Sequence, residues 1–105
     1  MGHIVVLVTA KDQSEAEKIA RALLEKKLAA CCNIIGGIRS LYWWQGKIAD
    51  GHEVLLLVKS RADLFEEIKG TVIACHSYTV PEIIALPVSD GSAPYLAWLD
   101  ASLRS

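Results

Sequence analysis

The sequence predicts an α+β domain in which a four-stranded antiparallel sheet carries two helices on one face and a short helix closes the chain. Three observations lead there. Apolar, β-branched blocks alternate with stretches of helical period in the order β-α-β-β-α-β. Two long apolar segments are joined by residues of turn chemistry. The strand-like blocks also stay apolar for longer than a sheet with one wet face should.

Residues 3–10 read as a strand, since Ile4, Val5, Val6, Leu7 and Val8 run without alternation. Asp12 or Ser14 then offers an N-cap, each with a glutamate three residues on. Ala16, Ile19, Ala20, Leu23 and Leu24 recur at helical spacing, and the basic end Glu25-Lys26-Lys27 suits the negative end of a helix dipole. A second strand is expected from Leu28, bending at Gly36-Gly37 before Ile38 to Trp44. The turn falls at Gln45-Gly46-Lys47 or at Ala49-Asp50-Gly51, and Glu53 to Lys59 pairs back as a third strand. Ser60 is expected to cap a second helix whose stripe is Leu64, Phe65, Ile68, Val72 and Ile73, weakened by Gly70. Residues 82–88 form a fourth strand ending at or near Pro87, and Tyr95, Leu96, Trp98, Leu99 and Leu103 outline the last helix. This order is the split βαβ arrangement of a ferredoxin-like fold.

With 105 residues, the chain is expected to form one domain over 1–105. It is 52% hydrophobic, with a mean hydropathy of +0.32. A domain this small buries only roughly 60 to 70% of the surface its unfolded chain exposes. Together with the bare sheet face this predicts self-assembly. No run approaches the about 18 apolar residues of a membrane helix. The net charge of −1 and scattered Lys and Arg give no footprint for nucleic acid. The first strand lacks a basic leader and a cleavage site, and Val6 stands where an N-myristoylation signal would place Ser or Thr, so a cytoplasmic protein without lipid anchor is expected. Three cysteines, Cys31, Cys32 and Cys75, have no zinc-like spacing and fit a reducing compartment.

Cys31 and Cys32 point to opposite faces of a strand, so they do not readily share one ion. Cys75-His76 places a soft and a borderline ligand together where the second helix ends, with a simple helix terminus as the plainer alternative. Glu53 and Glu82 open strands, where a carboxylate is usually polar edging, although Glu82 is close to His76 and Tyr78. The aromatic run Tyr42-Trp43-Trp44 suits an interface more than a stacked ligand. Without a nucleophile elbow or a glycine-rich phosphate loop, no enzyme is indicated.

Several runs together resemble the CutA divalent-cation tolerance family: Val8-Thr9-Ala10, Ala29-Ala30-Cys31, Asn33-Ile34-Ile35, Ser40 through Lys47, His76-x-Tyr78-x-x-Pro81-Glu82-Ile83-Ile84, and Tyr95-Leu96-x-Trp98. The resemblance implies a ferredoxin-like homotrimer in which sheet edges and the long hairpin lie against the next subunit. It also implies a role in the response to divalent metals, with Cu²⁺ or a similar ion bound and no obligatory cofactor. By position it makes Cys31 and His76 the first candidates for metal contact, with Cys75 beside them. Trp44, Lys47, Tyr78 and Glu82 become candidates for a pocket between subunits. A second implied reading is a scaffold like the trimeric PII signalling proteins, taking a small anionic ligand near Lys47 and Lys59, or a partner protein. The chain departs from the pattern at Ser77, Gly36 and Lys11, where proline is expected. Ser77 in particular should free the loop and loosen the imidazole of His76.

Overall fold

The computed structural model describes residues 2–105. Its elements are β1 (His3–Ala10), α1 (Gln13–Glu25), β2 (Cys31–Trp44), β3 (Lys47–Arg61), a single 3₁₀ turn (Ala62–Leu64), α2 (Phe65–Cys75), β4 (Ile83–Pro87) and α3 (Ala93–Ser102). The sheet order is β2-β3-β1-β4 with every neighbouring pair antiparallel, the ferredoxin-like arrangement expected.

Alternation along the strands decides where the core sits. Val6 and Val8 of β1 and Leu56 and Val58 of β3 are fully buried against Ile19 and Leu23 of α1 and Ile68 and Val72 of α2. Their neighbours Val5, Leu7, Leu55 and Leu57 take the opposite face and are only half buried. Ile35, Ile84 and Leu86 join them there, 40 to 50% exposed. The continuous apolar run in the sequence therefore reflects two apolar faces, of which one chain covers only one.

Asp12 is the N-cap of α1, its carboxylate accepting the Glu15 amide at 2.8 Å. The helix ends at Glu25, earlier than the basic end suggested. Lys27 takes a positive φ of 56°, and Leu28 N donates to Leu23 O at 2.9 Å in a Schellman closure that turns the chain and buries Leu28. Leu28 is therefore part of this closure, and β2 starts at Cys31. Leu24 and Ile73, assigned to the apolar stripes, are 41% and 54% exposed because each sits at the edge of its helix face.

The hairpin is longer than the sequence suggested. Gln45 (φ 51°) and Gly46 (φ 77°) make the two-residue turn, so Ala49-Asp50-Gly51 remains in the ladder opposite Tyr42, Leu41 and Ser40. One register shift between Ile35 and Ile38, with Gly37 at φ 75°, is the bulge expected at the paired glycines. Ser60 caps no helix. It lies in β3, wholly buried, and its hydroxyl donates to Leu28 O at 2.6 Å. β4 pairs only with β1, so Pro87 sits on an edge strand where its missing N–H costs no ladder bond.

A candidate cleft beside the His76 loop

The end of β1, the outer arm of β2, Glu53 of β3 and the loop after α2 meet at one corner of the sheet. His76 is the C-cap of α2 and turns its ring inward, with the side chain fully buried. Its Nε2–H donates to Thr9 O at 2.6 Å, and its Nδ1 accepts the Tyr78 amide at 3.0 Å. These partners assign the Nε2–H tautomer and occupy both ring nitrogens.

Glu15 holds the other side of this loop. One carboxylate oxygen accepts the Lys11 amide at 3.0 Å and the other accepts the Ser77 amide at 2.9 Å. Burial pushes its pKa up, but hydrogen bonds from Ser77 and Lys11 and the nearby His76 ring more than offset this and hold it below the usual carboxylate range. Ser77 thus does the reverse of what was expected from the loss of proline. It has an N–H to donate, and that N–H fastens the loop.

Tyr78 packs against His76 at a centroid distance of 4.5 Å, the ring planes tilted by 45°, and donates its hydroxyl to Glu53 Oε2 at 2.9 Å. Burial and this carboxylate push the phenol well above its ordinary pKa. Glu82 is exposed overall, yet partial loss of water around it, and then the charge of Glu53, raise its pKa as well. These side chains border a cleft of about 760 Å³, whose walls also include Arg39, Tyr42, Trp44 and Val80. The guanidinium of Arg39 is paired with Asp50 across the hairpin, in a two-pronged contact of 3.0 and 2.7 Å.

Of the residues singled out from sequence, Trp44, Tyr78 and Glu82 come together in this cleft. Lys47 does not line it. Lys47 pairs with Trp44 at the hairpin tip, and Lys59 lies opposite Cys31, away from the cleft walls. His76 is the buried support behind the cleft.

Cys31, Cys75 and His76 are not assembled into one site. Cys31 lies two strands from β1 and four residues along from the register of Thr9, a separation on the order of 16 Å. Cys75 packs against the core. Among the described residues, no group of three or more His, Cys, Asp or Glu side chains is placed to hold an ion. Cys32 is packed against the core as well, and burial, with Cys31 alongside, pushes its thiol up to about 12.

Glu15 and Glu53 are the members that sequence reasoning missed. The capping spacing marked Glu15 as a helix-start residue, but nothing local shows its second oxygen reaching residue 77. Glu53 looked like strand edging until Tyr78 was brought over it.

The family model described as CutA1 divalent ion tolerance protein matches residues 4–102. The chain is 50% identical over 95 residues to the divalent-cation tolerance protein CutA of Thermus thermophilus, covering 90% of this chain and 92% of that one. It is 46% identical to the chloroplastic protein CutA of Arabidopsis thaliana, covering 97% of this chain and 56% of that relative's length. Among solved structures, one described as the periplasmic divalent cation tolerance protein CutA from Archaeoglobus fulgidus superposes with a TM-score of 0.94. It is 45% identical, with 97% of this chain and 99% of that one covered. The chain belongs to the CutA1 divalent ion tolerance family.

Proposed function

We propose that this protein acts as a homotrimer in the response to and tolerance of divalent metal ions, binding copper or a similar ion. The observation that carries the assembly is the uncovered apolar face. Val5, Leu7, Leu55, Leu57, Ile84 and Leu86 form a sheet surface that one chain leaves open to water, and contact between subunits would bury it. The metal donors in this reading are the partly exposed thiols of Cys31 and Cys75, which one chain does not bring to a single site, so each would act separately or with a neighbouring subunit. His76 contributes once the Tyr78 amide releases Nδ1. Three unpaired cysteines support a reducing, cytoplasmic setting.

A second reading is a PII-like scaffold that senses a small ligand. It is favoured by the cleft of about 760 Å³ that gathers Trp44, Tyr78 and Glu82, a size typical of small-molecule sites.

Native mass spectrometry of the reduced protein, apo and titrated with Cu²⁺, Zn²⁺ and Ni²⁺, tests both parts of the first reading. A trimer taking one copper per subunit, reduced in Cys31→Ser, Cys75→Ser and His76→Ala, is the expected result. A monomer overturns the assembly. A trimer with graded adducts insensitive to all three variants overturns the metal site and leaves the ligand reading.

A further inference from the structure

We infer that the cleft between the hairpin and the His76 loop is a binding site for an organic ammonium ion, clasped by Glu53 and Glu82 and walled by Tyr42, Trp44 and Tyr78. The inference rests on the small-ligand reading of this cleft and gives that ligand a charge opposite to the anion expected from the sequence.

Charge balance in the walls is the first ground. Arg39 is the one basic side chain among the lining residues, and both prongs of its guanidinium are taken by Asp50. Glu53 and Glu82 are left facing the cavity from different elements. They line the same cleft, and the charge on Glu53 works against ionisation of Glu82, whose carboxylate is exposed and accepts no hydrogen bond from the described residues. Glu53 accepts one hydrogen bond, from Tyr78, and a carboxylate has about four acceptor positions. A cation between the two would relieve the repulsion and use the spare lone pairs, whereas an anion would meet two like charges.

The walls distinguish an organic cation from a metal ion. Tyr42 and Trp44 are half exposed, 46% and 52%, and Tyr78 lines the same cleft from the loop. Aromatic faces attract ammonium groups, more strongly as the site is desolvated. They offer no ligand to a divalent metal, which wants several oxygen, nitrogen or sulfur donors at fixed distances. Two carboxylates without a third ligand, in a cavity many times the volume of an ion, fit an alkylammonium better.

The test is isothermal titration of the full-length protein at matched ionic strength with n-butylammonium, butan-1-ol and butyrate, which share a chain and differ in charge. Saturable binding of butylammonium alone is expected, weakened at least tenfold in Glu82→Gln and in Trp44→Leu, with both variants keeping the thermal midpoint of the parent. Equal or tighter binding of butyrate or butanol, lost in Trp44→Leu, overturns the cationic class and leaves the cleft as a small-ligand site. Butylammonium binding unchanged in both variants overturns the placement. Failure of all three probes to bind overturns the inference and the ligand reading together.

Discussion

Glu15 and Ser77 are 62 residues apart in sequence and joined by a hydrogen bond of 2.9 Å from the Ser77 amide to Glu15 Oε2. The same carboxylate closes the first turn of α1 through the Lys11 amide. One side chain therefore caps a helix and anchors the loop that carries His76 and Tyr78, so the wall of the cleft is fixed from the N-terminal end of α1. The Ser77 amide supplies a bond that a proline there, lacking an N–H, would not give.

Replacing Glu15 with Gln is expected to lower stability at neutral pH by about 1 to 3 kcal/mol, the cost of weakening charge-assisted hydrogen bonds at a buried position. The pH dependence has a definite sign. The folded-state pKa of Glu15 is depressed, so its contribution is complete above the unfolded value of about 4.3 and is lost as pH falls through the lower folded value. Urea denaturation of parent and variant at a series of pH values should show a gap that closes on acidification. A gap independent of pH would mean that the charge on Glu15 contributes nothing.

The element order was legible because each helix and strand has its own period, as Ile19 and Leu23 in α1 or Val6 and Val8 in β1 show. The edges were less legible. Ser60 looked like a cap because caps are recognised by residue type, yet its hydroxyl is satisfied by Leu28 O from a segment 32 residues away. The hairpin turn was narrowed to two places, and backbone geometry at Gln45 and Gly46 decided between them. Three cleft residues, Trp44, Tyr78 and Glu82, were found through family-like runs. Glu53 was passed over because its partner is 25 residues distant, and Lys47, carried by the same family-like run as Trp44, lies at the hairpin tip and outside the cleft of one chain.

Ser60→Ala should cost about 1 to 2 kcal/mol, since it removes the 2.6 Å donor to Leu28 O at a fully buried point where β3 meets the end of α1. Guanidinium melts of the two proteins check this. Hydrogen exchange should rise locally around residues 27–30, and a variant as stable as the parent would show that water replaces the hydroxyl at no cost.

The three thiols should differ in reactivity. With a pKa of about 12, Cys32 is thiolate to only on the order of one part in ten thousand at pH 8. Alkylation by iodoacetamide, followed by peptide mass spectrometry, should modify Cys31 and Cys75 well before Cys32, with the differences erased in denaturant. Early modification of Cys32 in the folded protein would contradict its packing against the core.

The hairpin that carries Tyr42 and Trp44 to the cleft is set by its turn. Gln45 and Gly46 both have positive φ, the requirement of a type I′ turn, and Gln45 pays for it without the side chain best suited to that conformation. Nothing lies within 4 Å of a Cβ built on Gly46, so the penalty of Gly46→Ala is conformational and should be about 1 to 2 kcal/mol. Gln45→Asn should act in the opposite direction, stabilising the protein by about 0.5 kcal/mol, because asparagine tolerates the left-handed region better. Thermal melts of the two single variants measure both effects. If Gly46→Ala matched the parent, the turn would have to relax at no cost to a conformation with negative φ, and Trp44, two residues before it, would lose the fixed position that the cleft needs.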